Sequence, residues 1–362
     1  MDNKRILVAI THGDTNGIGY ELIFKTFSTP EMLELCTPII YGSPKVAAYH
    51  RKALDLQMNF TIINHAEEAR DGRINLLTCF NDDVKVELGT PTQESHQAAV
   101  KALDKALEDF QNNCFDVLIT MPINKNAEVG FPDQFEYIEK KIGEGKAATL
   151  LMGNDIMRIA LATKDIAIKD VAKSITMEHI TEKITALHTA LKRDLRILNP
   201  RIAVLALNPN AKGKEETEII KPAINKLEEQ HIEAFGPFPA DDFFGNKKYV
   251  AFDGILAMYH DQGTMPFKTI NGGNSYAFMM GLPFVCAGPI QSPCFEIAGQ
   301  NKGDESSFRQ AIYTAIDVFR NRINYDEPFE NPLPKLYHEK RDEGEKIRFS
   351  IPKKHENSIK EK

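Results

Sequence analysis

Five short segments of this sequence carry side chains suited to chemistry, and each follows an apolar run. MYHDQG sets His260 beside Asp261, a pair with the donors and acceptors for metal ligation or acid–base work, or else a turn histidine satisfied locally. MPINKNA holds Asn124 and Lys125; a lysine there is either a solvated surface residue or, in a cleft, an anion binder. LNPNAKGKEE carries Asn208, Asn210, Glu215 and Glu216, and PFPADDFF places Asp241 and Asp242 between apolar neighbours. The fifth segment, THGDTNGIGYE, puts Asp14 inside a glycine-rich loop. Its glycines fall as G-x-x-x-G-x-G, not as the dinucleotide fingerprint G-x-G-x-x-G. Asp14 would also repel a pyrophosphate unless a cation stood between them. The loop is therefore either a tight turn, in which glycines supply positive φ and close packing, or part of a different kind of site.

The elements that must position these residues alternate along the chain. Strand candidates are ILVAI (6–10), TPIIYG (37–42), VLIT (117–120), IAVLAL (202–207) and GILAMY (254–259). Helical periodicity marks 97–111, 179–195 and 305–323. Alternating helices and near-continuous apolar strands predict an α/β protein with a largely parallel sheet. In such folds the chemistry gathers at the carboxyl ends of strands, where four of the five segments fall. The polar stretch 131–148 reads as a crossing between domains. From about Lys335 to Lys362 both charges mix with little periodicity, as in a disordered or loosely attached tail.

Bulk properties narrow the function classes. A chain of 362 residues has room for two domains, and 42% hydrophobic with 26% charged residues is ordinary for a globular protein. A net charge of −7 argues against nucleic acid or an anionic membrane as partner. Five scattered cysteines without a C-x-x-C suggest neither a disulfide framework nor a zinc ribbon. No signal peptide and no 18-residue apolar window is evident, so the expected location is the cytoplasm.

Together the segments resemble one family. GDTNGIGYE, TMPINK, FPDQFEY, LNPNAKGKEE, PFPADDFF, MYHDQGTMPFK and GLPF look like the motifs of 4-hydroxythreonine-4-phosphate dehydrogenases, in the family's order, from about Ile6 to Pro334. The resemblance implies two α/β/α domains with a cleft between them, as in isocitrate and isopropylmalate dehydrogenases. The first would run over 1–130 with a returning segment of about 295–334, and the second over 131–294. It implies a homodimer; a chain without the parent activity could instead pair as a heterodimer with an active relative. It also implies NAD or NADP as oxidant, and oxidation of a secondary alcohol followed by loss of CO2, in pyridoxal 5′-phosphate biosynthesis. A divalent metal on three histidines would polarise the substrate oxygens. Asp14, Lys125, Asp241 and Asp261 are the intact positions that the catalytic expectation rests on.

Other positions depart from the family. Its F-P-G-H-T-E-Y reads Phe131-Pro132-Asp133-Gln134-Phe135-Glu136-Tyr137 here, so the substrate-binding His and Thr are Gln134 and Phe135. The metal histidines correspond to Asp165, Asn210 and His260. Phosphate-clamp Lys268 remains, while the substrate Asn falls on Ala277 and the Arg on Cys286. Oxygen donors suit Mg²⁺ or Mn²⁺ better than Zn²⁺. A clamp reduced to Lys forfeits bidentate recognition. The expectation is weak or absent parent activity, as in a pseudoenzyme; the alternatives are a working divergent dehydrogenase or one for another hydroxy acid.

Overall fold

The computed structural model describes residues 5–80, 84–124, 131, 134–142, 148–270 and 274–330. The tail 335–362 and Lys125 therefore lie outside the described residues, as does Asp133. Twelve strands occur among those described: β1 (Ile6–Thr11), β2 (Cys36–Gly42), β3 (Thr61–Ile63), β4 (Asn75–Thr78), β5 (Val117–Thr120), β6 (Thr149–Gly153), β7 (Arg158–Leu161), β8 (Ile202–Leu205), β9 (Ala234–Phe238), β10 (Gly254–Ala257), β11 (Tyr276–Met280) and β12 (Val285–Gly288). They form one sheet in the order β3-β4-β2-β1-β5-β12-β11-β6-β7-β10-β8-β9. The chain re-enters its first half at β12, which pairs in parallel with β5.

Pairing is parallel within each half, but β11 is antiparallel to β12 and to β6, and β6 is antiparallel to β7. The strands of the two halves thus run in opposite senses. A twist of about 20–25° per strand accumulates to about 120–150° over the six steps from β1 to β10, which offsets most of that reversal.

β1, β2, β5, β8 and β10 are buried almost throughout, as strands covered on both faces must be. One apolar cluster runs through both halves, from Val8 and Ile119 to Leu187 and Leu256. A smaller one lies around Ile159, Leu205, Phe243 and Phe267.

Several element ends differ from the periodicity. The helix expected at 97–111 starts at Gln93, because Thr92 and Ser95 form a reciprocal capping box. The one expected from 179 starts at Met177 under a Thr176 cap. The last helix runs Ser306–Glu330 and packs on β5, β11 and β12. Within the polar stretch 131–148 there is a helix, Gln134–Ile142, whose Phe135, Ile138 and Ile142 are buried at helical spacing. His260 and Asp261 open a helix, His260–Ile270, and do not sit on a turn. Gln262 stabilises its first turn by accepting from Met258 N (2.7 Å) and donating to Ala206 O (2.6 Å), which ties the ends of β10 and β8 together.

Candidate active site

The first carboxyl edge is closed and rigid. Gly13 has φ +70°, and a Cβ there would come within 2.6 Å of Pro122 O. At Gly19 a Cβ would overlap the His12 carbonyl oxygen. The glycines thus do what the tight-turn reading requires. Asp14 N donates to Pro122 O (3.1 Å) and Ile18 N to Pro293 O (3.0 Å). Asn16 accepts from Glu87 N and donates to Thr90 O. Glu21, 1% exposed, takes Gly303 N (2.6 Å) and Lys25 Nζ (2.9 Å), and Lys25 also reaches Asn301 O. The loop and the helix after it (Gly19–Phe27) are therefore held by the returning segment as well as by β5.

Asp14 is buried, and its Oδ1 accepts Asn16 N (3.0 Å). Burial pushes its pKa above the ordinary carboxylate value, against the pull of Asn16 N–H, the Ser95 hydroxyl and His96. His96, also buried, sets its ring edge-on to Phe131 at 4.9 Å between centroids. Burial lowers its pKa, although Asp14 and the Asn124 backbone act the other way. Beneath them His12 stacks on Tyr20 at 5.0 Å, and burial lowers its pKa to about 3. His50, bonded to Thr15 O at 2.8 Å, is lowered to about 4 by the same cause.

The substituted family positions lie on the strands and helix between the halves. Gln134 and Phe135 are both buried in the first turn of their helix, with Phe135 beside Gly288 at the end of β12. Ala277 pairs with Gly288 and Met152. Cys286 has no exposed surface, and burial raises its thiol pKa well above the usual range. Its side chain belongs to the core and presents nothing to a ligand as it stands.

The second carboxyl edge is open. β7, β10 and β8 are adjacent and in register, with Leu161 opposite Ala257 and Leu256 opposite Val204. Asp165, His260 and Asn210 lie four, three and five residues beyond the ends of these strands, and all three are exposed. His260 Nδ1 meets Asp261 Oδ1 at 2.8 Å and Thr264 Oγ1 at 3.3 Å, which leaves Nε2 to face outward. Asn210 adopts φ +58° in a loop built on Glu216. Glu216 accepts from Asn208 N (2.7 Å), Asn208 Nδ2 (3.0 Å) and Gly213 N (2.6 Å). Burial opposes its ionisation, yet these donors hold its pKa below the ordinary value. Lys268 is exposed in the helix begun by His260. Asp241 is exposed on the short helix Ala240–Gly245, while its neighbour Asp242 is engaged by Lys248 and Asn246. Among the described residues no three His, Cys, Asp or Glu side chains are gathered to hold a metal. A groove of about 540 Å³ between Thr185, Thr189, Leu282 and Arg322 lies elsewhere, toward the amino end of β12.

The motif reading missed His96, and it named Glu216 without its part in holding the Asn208–Gly213 loop. The Thr92-x-x-Ser95 cap just before His96 was a usable signal, since it fixes where that helix meets the loop.

Comparison with known proteins agrees on one family. Residues 34–315 match the family model described as "Pyridoxal phosphate biosynthetic protein PdxA". A 4-hydroxythreonine-4-phosphate dehydrogenase of Bacteroides thetaiotaomicron is 50% identical over 359 residues, covering 96% of this chain and 98% of the relative. One from Sulfurihydrogenibium sp. is 34% identical over 326 residues, 88% of this chain and 99% of its own. Among solved structures, a 4-hydroxythreonine-4-phosphate dehydrogenase from Burkholderia phymatum aligns with a TM-score of 0.69 at 27% identity, over 87% of this chain and 99% of that one. The α/β, isocitrate/isopropylmalate dehydrogenase-like fold expected from the sequence is the fold of these neighbours. The resemblance read from the motifs holds over most of the sequence, and the chain belongs to the pyridoxal phosphate biosynthetic protein PdxA family.

Proposed function

We propose that this chain is a working 4-hydroxythreonine-4-phosphate dehydrogenase, acting on 4-phosphohydroxythreonine with NAD or NADP. One observation carries the reading: Asp165, Asn210 and His260 stand at the level ends of three adjacent parallel strands. They offer two oxygen donors and one imidazole, and the Asp261 carboxylate orients that imidazole with Nε2 outward. This donor set fits Mg²⁺ or Mn²⁺ better than Zn²⁺. When bound, such an ion polarises the alcohol and carbonyl oxygens of the substrate. Lys268, on the same helix as His260, supplies a point charge for the phosphate. Asp241 and Asp261 supply exposed carboxylates at that edge, and Lys125 belongs to the same assignment by its motif. The rigid first edge forms the opposite wall, with two α/β domains meeting there and a homodimer completing the cleft.

The expectation of weak or absent turnover rested on replaced residues alone, and the relatives give it no support. It survives as a second reading because Cys286 and Ala277 are buried where the family motif has Arg and Asn. The test is nicotinamide reduction with 4-phosphohydroxythreonine in Mg²⁺, Mn²⁺ or Zn²⁺. A kcat/KM near 10⁴ M⁻¹s⁻¹ or above, the lower end for ordinary enzymes, supports the first reading. A value orders of magnitude lower, in every metal and with both cofactors, supports the second.

A further inference from the structure

Several buried polar atoms at the closed edge lack partners among the described residues, including both His12 nitrogens, Thr15 Oγ1 and Glu21 Oε2; Asp14 Oδ2 and His96 Nδ1 are the two on residues bonded to the chain just after β5, at Pro122 and Asn124. Asp14 is 2% exposed and His96 4%. The Ser95 hydroxyl stands beside the carboxylate but donates to Thr92 O at 2.9 Å. The His96 ring donates to the Asn124 backbone through its other nitrogen, so Nδ1 of the neutral ring offers a lone pair. Buried acceptors are rarely left empty, and a buried carboxylate without a positive partner is costly. What completes the pair must bring N–H or O–H groups, and a positive charge fits the carboxylate best.

We propose that Asp14 and His96 form the subsite for the substrate's ammonium group, and so select an amino acid over the corresponding hydroxy acid. The subsite adjoins Asn124 and Phe131, which begin or border the TMPINK and FPDQFEY segments. The inference rests on the dehydrogenase reading above, and it adds a residue-level basis for choosing between two phosphorylated acids of equal size. A neutral donor such as a carboxamide would satisfy the hydrogen bonds and leave the charge unmatched.

Calorimetric titration of the full chain with two probes tests this. One is 4-phosphohydroxythreonine; the other is 2,3-dihydroxy-4-phosphobutanoate, which has a hydroxyl in place of the amine. The natural chain should bind the amino form about tenfold or more tightly than the hydroxy form. Asp14→Asn should abolish that preference, weakening the amino form about tenfold more than the hydroxy form. His96→Gln should reduce the preference about threefold, and serves if Asp14→Asn fails to fold by its thermal midpoint. Equal binding of both probes by the natural chain overturns the subsite alone, as does an unchanged preference in both variants. A loss of nicotinamide-cofactor affinity in Asp14→Asn, with the preference intact, overturns it in favour of the cofactor's carboxamide. Binding of neither probe removes the dehydrogenase reading and this inference with it.

Discussion

The two carboxyl edges of the sheet solve different problems with similar materials. At the end of β1, a loop of three glycines is clamped by backbone bonds to Pro122 and Pro293, over His12, Asp14 and His50, all buried. At the ends of β7, β10 and β8, the polar residues Asp165, His260 and Asn210 are exposed and lean on neighbours such as Asp261 and Glu216. In the closed edge each residue is fixed by packing, so its type is dictated by geometry. In the open edge the scaffold is fixed one residue away from the functional atom, so the atom itself can change. The family's framework motifs persist at both edges, whereas the metal-position substitutions fall on the open one.

That contrast can be broken by substitution. Gly19→Ala at the closed edge should cost about 3 kcal/mol or more, because the new Cβ meets a backbone carbonyl that cannot move aside. A change in urea midpoint equivalent to less than about 1 kcal/mol would show that the edge yields. Acid should strike the same place. His12 and His50 have folded pKa values near 3 and 4, below the ordinary 6.5, so the unfolded chain binds more protons between those limits. Stability therefore falls as pH drops below 6.5, by about 1.4 kcal/mol per unit for each histidine. Urea titrations at pH 7 and pH 5 should differ accordingly, and His12→Phe should flatten part of the slope.

Changes at the open edge should act on binding and spare the fold. His260→Ala should weaken Mn²⁺ binding about tenfold or more by calorimetry, while moving stability by no more than about 0.5 kcal/mol, as exposed substitutions do. A large loss of stability would make His260 a structural residue. The smallest effect on the fold is expected from Asp165→His combined with Asn210→His. This double variant should retain zinc by elemental analysis but change kcat/KM less than about threefold, since the natural donor set already supports turnover with Mg²⁺ or Mn²⁺. A gain of tenfold or more in that variant would show that the natural oxygen donors limit turnover.

Much of the architecture was legible because β1, β2, β5, β8 and β10 are apolar runs bounded by turn residues. β6, β7, β11 and β12 were not, since runs such as TLLMG or VCAG carry no period that separates strand from helix. The antiparallel junction they form is invisible locally. The motif residues were readable as a set, yet their surroundings were not. Nothing near Cys286 says that its side chain faces the core, and His96 lies far along the chain from the Asp14 whose charge it feels. Burial and long-range pairing decide such matters, and neither is a local property.

The clamp of Glu21 and Lys25 on Asn301 and Gly303 also constrains the order of events during synthesis. Its hydrogen bonds join residues up to 282 positions apart. At about 5–20 residues per second, the loop made first waits about 15–55 s for the segment that secures it. Until then Glu21 has neither Gly303 nor Asn301's neighbourhood to hold it, and Ile18 lacks the Pro293 carbonyl. A chain truncated before about residue 303 should therefore expose this glycine-rich region to chaperones and proteases, so that only a nearly complete translation product carries an assembled first edge.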